Sequence, residues 1–144
     1  MAQADFYVLP AADPAARQRF LCRLAEKIVP AGHQLHIHCD SKQQAIELDR
    51  LLWEFKAESF IPHCLVDSEQ SAPVQLGWEL DQIDPERVFV NMTEQLPESV
   101  LSIERVVEIV VQTPEILAAT RNHYKQYQAH DYHINMNDMR PKKR

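Results

Sequence analysis

The feature that most constrains the fold is a pair of apolar, β-branched runs, RVFVNM at residues 87–92 and RVVEIVV at residues 105–111. Valine and isoleucine favour extended backbone, and a run that is apolar on both of its sides indicates a strand covered on both faces. Such strands are typical of parallel sheets with helices packed above and below. Shorter extended segments are predicted at residues 5–9, 35–39, 60–66 and 74–78.

Helix-start motifs separate these strands. Asp13 before Pro14 and Thr113 before Pro114 each combine an N-cap side chain with a proline at the first helical position. The segment SKQQ, residues 41–44, matches a capping box at the start of another helix. Strands that alternate with helices predict a single α/β domain with a mainly parallel sheet flanked by helices.

The predicted architecture is Rossmann-like, but it lacks the glycine-rich loop that binds nucleotides in such folds. The chain has only two glycines, Gly32 and Gly77, and neither lies in a loop that leads from a strand into a helix. The turns after the first two strands, PAADPAA and DSKQQ, place carboxylates where a phosphate would need bare backbone amides. The sequence therefore argues against a dinucleotide or nucleoside triphosphate site.

Charge is distributed unevenly along the 144 residues, whose net charge is −6. Residues 1–120 carry −10, whereas residues 121–144 carry +4. An acidic body repels nucleic acid, which argues against broad binding of a DNA backbone. The basic end suits an acidic peptide or a short piece of nucleic acid, unless it is simply a solvated tail. Because periodicity is lost from His130 onward, we expect one domain over residues 1–134 and a basic, flexible tail over residues 135–144.

No apolar run approaches the ~20 residues needed to cross a bilayer. The start of the chain, MAQADFYVL, lacks the basic flank and apolar stretch of a signal peptide. We therefore expect a cytoplasmic protein with no membrane partner. Cys22, Cys39 and Cys64 form no paired motif, so free thiols are expected in that reducing compartment.

The strongest candidates for metal ligands are the histidines of HQLHIHC, residues 33–39. His36 and His38 point to the same side of the predicted strand. A closed zinc site needs four ligands from two elements, however, and the sequence offers no second cluster of matching type. We expect these histidines on the less apolar face of the strand, beneath a helix or in water, and we expect no metal or other cofactor.

A catalytic cysteine would need a neighbour that stabilises its thiolate. Asp40 follows Cys39 and should raise the pKa of that thiol through like charge. Cys64 follows His63, but adjacent residues of a strand face opposite ways. The sequence contains no catalytic constellation, and we do not expect an enzyme.

A candidate binding face lies on the last predicted helix, within LAATRNHYKQY at residues 117–127. Helical spacing places Leu117, Arg121, Tyr124 and Lys125 on one side. Arginine can fork onto a carboxylate while tyrosine and leucine hold an apolar side chain, which suits a peptide with an apolar, carboxylate end. The same spacing also describes a half-buried amphipathic helix whose cations face water.

A second candidate surface is LLWEFKAESFIPH, residues 51–63, which brings Trp53 and Phe60 together around a charged stretch. Composition allows two interpretations of these rings. Either they anchor a helix end in the core, or they form an exposed aromatic pair of the kind that is enriched at protein interfaces.

Four segments occur in a characteristic order and spacing: DFYVL, QQAIELDRLLW, AESFIPH and RNHYKQY. Together they resemble the chi subunit family of the bacterial DNA polymerase III holoenzyme, whose members are small accessory proteins of the clamp-loader assembly. The resemblance covers nearly the whole chain. It implies a single α/β domain similar to nucleotide-binding folds but without a nucleotide site, and no catalytic activity.

The resemblance also implies two partners. Family members pair with the psi subunit, which connects them to the clamp loader, through a surface whose tryptophan and phenylalanine match Trp53 and Phe60. On another face they bind the acidic C-terminal tail of single-stranded DNA-binding protein, which ends in phenylalanine. The family residues that bind this tail match Arg121, Tyr124 and Lys125.

One position departs from the family pattern. Family members can carry a basic residue one turn before the arginine, whereas this chain has Leu117, which removes a cation that would face the acidic tail. The expectation is a non-catalytic replication adaptor that associates with single-stranded DNA only indirectly. The alternative is a small nucleotide- or metal-dependent enzyme of α/β fold.

Overall fold

The computed structural model describes residues 2–54 and 61–141, which form one seven-stranded sheet flanked by three α-helices. Every strand pair is parallel, as the apolar runs predict. The strands are β1 (Gln3–Val8), β2 (Leu35–His38), β3 (His63–Leu65), β4 (Val74–Gly77), β5 (Val88–Asn91), β6 (Arg105–Val110) and β7 (His133–Asp138). Their order across the sheet is β3-β4-β2-β5-β6-β1-β7.

The helices begin where the sequence predicts. Asp13, Ser41 and Thr113 each accept a hydrogen bond from a backbone amide of the first turn, so each acts as a cap. The helices are α1 (Pro14–Ile28), α2 (Lys42–Glu54) and α3 (Pro114–Ala129), with single turns of 3-10 helix at Leu80–Gln82 and Glu98–Ser102. Within the described residues, no helix combines the length and apolar character needed to span a membrane.

Alternation along the strands divides the core into two layers. In β6, Val107 and Ile109 point to a first core that also contains buried residues of α1 and α2. Val106 and Val110 point the other way, to a second core that α3 covers with Tyr127. Helices α1 and α2 therefore lie on one face of the sheet, and α3 lies on the opposite face.

Strand β7 was not predicted, because the interpretation that periodicity is lost from His130 onward overlooked a short alternating segment. It pairs in parallel with β1, with His133 opposite Gln3. Its sequence, HINMND, does alternate between polar and apolar residues, with Ile134 and Met136 as the apolar positions, but its side chains are exposed or only half-buried. The predicted domain boundary after residue 134 falls within this strand.

Candidate functional site

The outer face of α3 carries the polar residues predicted to bind a ligand. Arg121 and Lys125 are exposed one turn apart, and neither forms an ion pair with another residue in the described part of the chain. Tyr124 is 36% exposed, and its ring centroid lies 5.9 Å from that of Phe6 in β1. Leu117 is half-buried against the second core. Two cations, an aromatic ring and an apolar edge therefore share one surface.

The inner face of α3 is built around a buried carboxylate, Glu108 of β6, which is only 4% exposed. One oxygen of Glu108 lies 2.9 Å from Nδ1 of His123. The other oxygen accepts hydrogen bonds from the Tyr127 hydroxyl at 2.9 Å and from the Asn91 amide at 3.0 Å. A buried charge is tolerated only when it is paired and hydrogen-bonded, and these three partners satisfy Glu108. We call Glu108, His123, Tyr127 and Asn91 the Glu108 network.

The Glu108 network also holds the loop that follows β5. Nε2 of His123 lies 3.0 Å from the carbonyl oxygen of Glu94, and Asn91 donates to the carbonyl oxygen of Gln95 at 2.9 Å. Both ring nitrogens of His123 face oxygen acceptors, and only the protonated ring, with an N–H on each nitrogen, donates to both. In that form His123 pairs with the Glu108 carboxylate and connects α3 to the sheet and to the loop.

This arrangement shifts two pKa values. Burial alone would lower the pKa of His123, but the hydrogen bond and the charge of Glu108, with a smaller contribution from the Glu94 carbonyl, raise it overall. Burial, followed by the charge of Glu108, raises the pKa of Tyr127 well above its usual value. The Tyr127 hydroxyl therefore remains a donor to the carboxylate.

The sequence alone does not predict the Glu108 network. One clue is visible, because Glu108 is a charge in the middle of a run that is otherwise covered on both faces. Such a charge requires buried partners. The partners lie 17 residues before it and 15 and 19 residues after it, so they are found only when α3 is placed over β6.

The end of α2 presents the tryptophan predicted to bind a partner. Trp53 is 57% exposed, so its ring is not a core anchor. The ring packs edge-on against His63, with centroids 5.0 Å apart. The His63 side chain is fully buried, with Nδ1 2.6 Å from the carbonyl oxygen of Ile61 and Nε2 3.3 Å from a carboxylate oxygen of Asp49. Phe60, the second predicted aromatic residue, lies outside the described residues.

At the carboxyl edge of the sheet, the chain's own side chains occupy the helix starts that could bind a phosphate. The Asp13 carboxylate accepts the Ala16 amide at 2.7 Å. At the start of α2, Ser41 accepts the Gln44 amide at 3.1 Å, and the Gln44 side chain accepts the Asp40 amide at 2.6 Å. A phosphate would have to displace these bonds and approach two carboxylates, which is electrostatically unfavourable.

A crevice of about 450 Å³ opens above the carboxyl ends of β2, β4 and β5. Parallel α/β sheets commonly bind ligands at this position. Here Asp40 and Glu79 line the crevice, and both are exposed, so its charge repels phosphates as well. Trp78 and Leu96 supply apolar walls, and the floor is His38, whose pKa is lowered by burial.

His36 and His38 point to the same side of β2, as predicted, and both are buried, so of the two expected environments the solvated one is wrong. Their rings are stacked with centroids 6.4 Å apart, and both contact Phe89. Burial lowers the pKa of His36 to about 4, which makes it a neutral core residue. Gly77 passes so close that a Cβ there would lie 2.8 Å from the His36 ring. No group of three potential metal ligands occurs within residues 2–54 and 61–141.

All three cysteines are free thiols, as expected. Burial, with a further contribution from the charge of Asp40, raises the pKa of Cys39 to about 12. Burial raises the pKa of Cys22 to about 11. Neither thiol is therefore a thiolate near neutral pH, which is the form that nucleophilic catalysis requires.

Comparison with known proteins places this chain in one family. Residues 1–135 match the family described as DNA polymerase III chi subunit, HolC. The chain belongs to the chi subunit family of DNA polymerase III. The chi subunit of Pseudomonas aeruginosa is 41% identical to it over 132 residues, which cover 92% of this chain and 93% of the relative. The chi subunit of Escherichia coli K12 is 26% identical over 142 residues, covering 94% and 97%.

Membership of the chi family confirms the resemblance found in the four sequence segments. It makes this protein a subunit of DNA polymerase III. The family match spans both surfaces described above, the outer face of α3 and the end of α2. The chi subunit of Haemophilus influenzae, 25% identical over 135 residues, aligns over a similar share of the chain, 91%.

Proposed function

We propose that this chi-family protein is a non-catalytic adaptor in DNA replication. It links the clamp loader, through the psi subunit, to the acidic C-terminal tail of single-stranded DNA-binding protein. The observation that carries the proposal is the outer face of α3, where two exposed cations flank a partly exposed tyrosine ring. This combination suits a ligand that ends in an aromatic side chain and a free carboxylate.

In the proposed tail site, each residue has a distinct role. Arg121 forks onto the terminal carboxylate of the tail, because a planar guanidinium donates two parallel hydrogen bonds. The Tyr124 ring and Leu117 hold the terminal phenylalanine, and Lys125 attracts the acidic residues before it. Since Leu117 replaces a cation, binding depends more on apolar contact than in family members with a basic residue at this position.

The proposed psi surface is centred on Trp53. An exposed tryptophan supported by a fully buried side chain, here His63, is the kind of rigid anchor that carries much of the binding energy at interfaces. Phe60, seven positions further along the chain, is proposed as its companion.

The two proposed surfaces lie on helices at opposite faces of the sheet, because α2 packs on the first core and α3 on the second. Both partners can therefore bind at the same time. Simultaneous binding tethers the clamp loader to coated single-stranded DNA and raises its local concentration without any bond being made or broken. The adaptor acts in the cytoplasm and contacts DNA only through its partner.

Fluorescence anisotropy with a labelled acidic peptide ending in phenylalanine tests the tail site. The matched control is the same peptide with an amidated C-terminus, which retains the ring but lacks the terminal charge. We expect the amide to bind about tenfold more weakly, since a charge-assisted bidentate pair is lost. Equal affinities for the two peptides would contradict the proposed role of Arg121. Co-purification of the psi subunit from native lysate tests the second surface.

A further inference from the structure

A short series of contacts connects the Glu108 network to Tyr124 on the outer face of α3. The Tyr127 hydroxyl donates to Glu108, and the Tyr127 ring packs edge-on against Phe6 with centroids 5.8 Å apart. Phe6 in turn contacts the Tyr124 ring at 5.9 Å. The position of the ring proposed to hold the ligand therefore depends on how α3 is fixed to the sheet beneath it.

We propose that the ion pair between Glu108 and His123 positions the outer face of α3, and that this face binds its acidic, aromatic-ended peptide less tightly once His123 loses its proton. The inference rests on the proposed function, because it concerns the same peptide site. His123 is a positioning residue. Its side chain is buried against the sheet and acts on the peptide through the placement of Tyr124.

The geometry explains why the proton matters. As an imidazolium, His123 donates from Nδ1 towards Glu108 and from Nε2 towards the Glu94 carbonyl. A neutral imidazole has a single N–H. Loss of the proton therefore sets a nitrogen lone pair against an oxygen at one of these two contacts, inside a site that excludes water. Either α3 moves away from the sheet or the loop after β5 moves away from α3, because a buried unsatisfied acceptor is costly.

Groups from four elements act on His123 or on its partner Glu108. The Glu108 carboxylate comes from β6, and the charge of Arg17 comes from α1. The backbone carbonyl of Glu94 belongs to the loop after β5, and the neutral hydroxyl of Tyr127 in α3 donates to Glu108. Arg17 opposes the effect of Glu108, but the pKa of His123 remains raised overall. Because the pKa of His123 is higher in the folded than in the unfolded protein, the protonated ring stabilises the folded state. This stabilisation is fully present below the pKa of the unfolded state and is lost as the pH rises through the pKa of the folded state. Peptide affinity should thus fall on the alkaline side.

The test is peptide anisotropy at constant ionic strength from about pH 6 to about pH 9, on either side of the usual histidine range. Two exposed histidines near α3 are first removed by His130→Gln and His133→Gln, so that they do not contribute to the profile. We expect affinity to fall between about threefold and tenfold as His123 deprotonates, a change that corresponds to the loss of one buried hydrogen bond.

Two substitutions and one control show whether His123 acts through its charge or only by filling space beneath α3. His123→Gln should give an affinity that no longer varies with pH, because glutamine does not titrate. Glu108→Gln should move the midpoint to lower pH, since the anion that raises the pKa is removed. Tyr132→Phe, which removes a buried hydroxyl outside the Glu108 network, should retain the midpoint of the parent protein.

The parent protein supplies a measurement that needs no buried substitution. The ring titration of His123, followed by NMR, should have the same midpoint as the change in peptide affinity. A flat affinity profile in a parent that binds the peptide, or a pH step that persists in His123→Gln, would overturn the inference and leave the proposed function intact. No binding at any pH would overturn both.

Discussion

The outer face of α3 and the exposed end of α2 are both aromatic surfaces, yet they are supported in different ways. Behind α3 lies the Glu108 network, which joins the helix to the centre of the sheet through buried charges. Behind Trp53 lies His63, near the edge of the sheet on strand β3. We therefore expect substitutions behind the α3 surface to lower the stability of the fold, and substitutions of Trp53 to have little effect on it.

The substitution expected to have the largest effect removes the carboxylate at the centre of the Glu108 network. Glu108→Ala leaves the His123 charge and the donors of Tyr127 and Asn91 buried without their partner. We expect the free energy of unfolding to fall by about 3–5 kcal/mol, as is typical when one member of a buried ion pair is removed. Urea denaturation measures this. The control is Glu104→Ala, an exposed carboxylate next to the same strand, for which a change within about 0.5 kcal/mol is expected. A loss below about 1 kcal/mol for Glu108→Ala would contradict the coupling.

A substitution at the end of α2 should affect partner binding much more than stability. Trp53→Ala should weaken psi binding by about 2 kcal/mol or more, as for a central interface residue. Unfolding by urea should change by only about 1 kcal/mol or less, because the ring is mostly exposed. Ile46→Ala is the matched control, since Ile46 is an exposed apolar residue two turns earlier on the same helix. Calorimetric titration that shows equal losses for both variants would argue against Trp53 as the anchor.

On the outer face of α3, Arg121→Ala should weaken binding of the acidic tail by about 1.5–3 kcal/mol, the usual range for a hydrogen bond to a charged group. Psi binding should be unchanged, because psi is proposed to bind on the other side of the sheet. Arg23→Ala, at an exposed position of α1, controls for the loss of one positive charge. An unchanged anisotropy titration for Arg121→Ala would remove this residue from the site.

The smallest expected effect concerns Leu117. Leu117→Lys adds a cation one turn before Arg121, while the apolar stem of the lysine keeps contact with the terminal phenylalanine. It should strengthen tail binding by about 0.3–1 kcal/mol at low salt, as for an exposed ion pair. The gain should disappear as salt is raised, because exposed charges are screened. A titration series at increasing sodium chloride checks this. If the gain persisted at high salt, the effect would have to come from the apolar stem of lysine instead.

Much of the fold follows from local patterns in the sequence. Asp13 and Thr113 mark helix starts because capping depends on residues only two or three positions away. The strands β5 and β6 are predictable because strands covered on both faces consist mainly of apolar, β-branched residues. The one-sided arrangement on α3 follows from helical spacing. In each case the information lies within a single element.

What the sequence does not predict depends on which elements meet. Glu108 contacts His123 and Tyr127 only because α3 packs over β6 in the folded chain. The exposure of Trp53 depends on whether another element covers the end of α2, which composition does not reveal. The burial of His36 depends on the close approach of Gly77 in the neighbouring strand β4. Strand β7 pairs with β1, and its alternation of polar and apolar residues is confined to one short segment whose side chains are exposed or half-buried.

The position of β1 has a consequence for synthesis of the chain. This first strand lies between β6 and β7, so Gln3 is opposite Arg105 on one side and His133 on the other. At roughly 5–20 residues per second, the ribosome completes β7 on the order of 10 s after β1 has been made. Until then one edge of β1 stays unpaired. Because β1 also carries Phe6, whose ring contacts Tyr124, a copy that still lacks β7 leaves one edge unpaired in the strand that supports the outer face of α3.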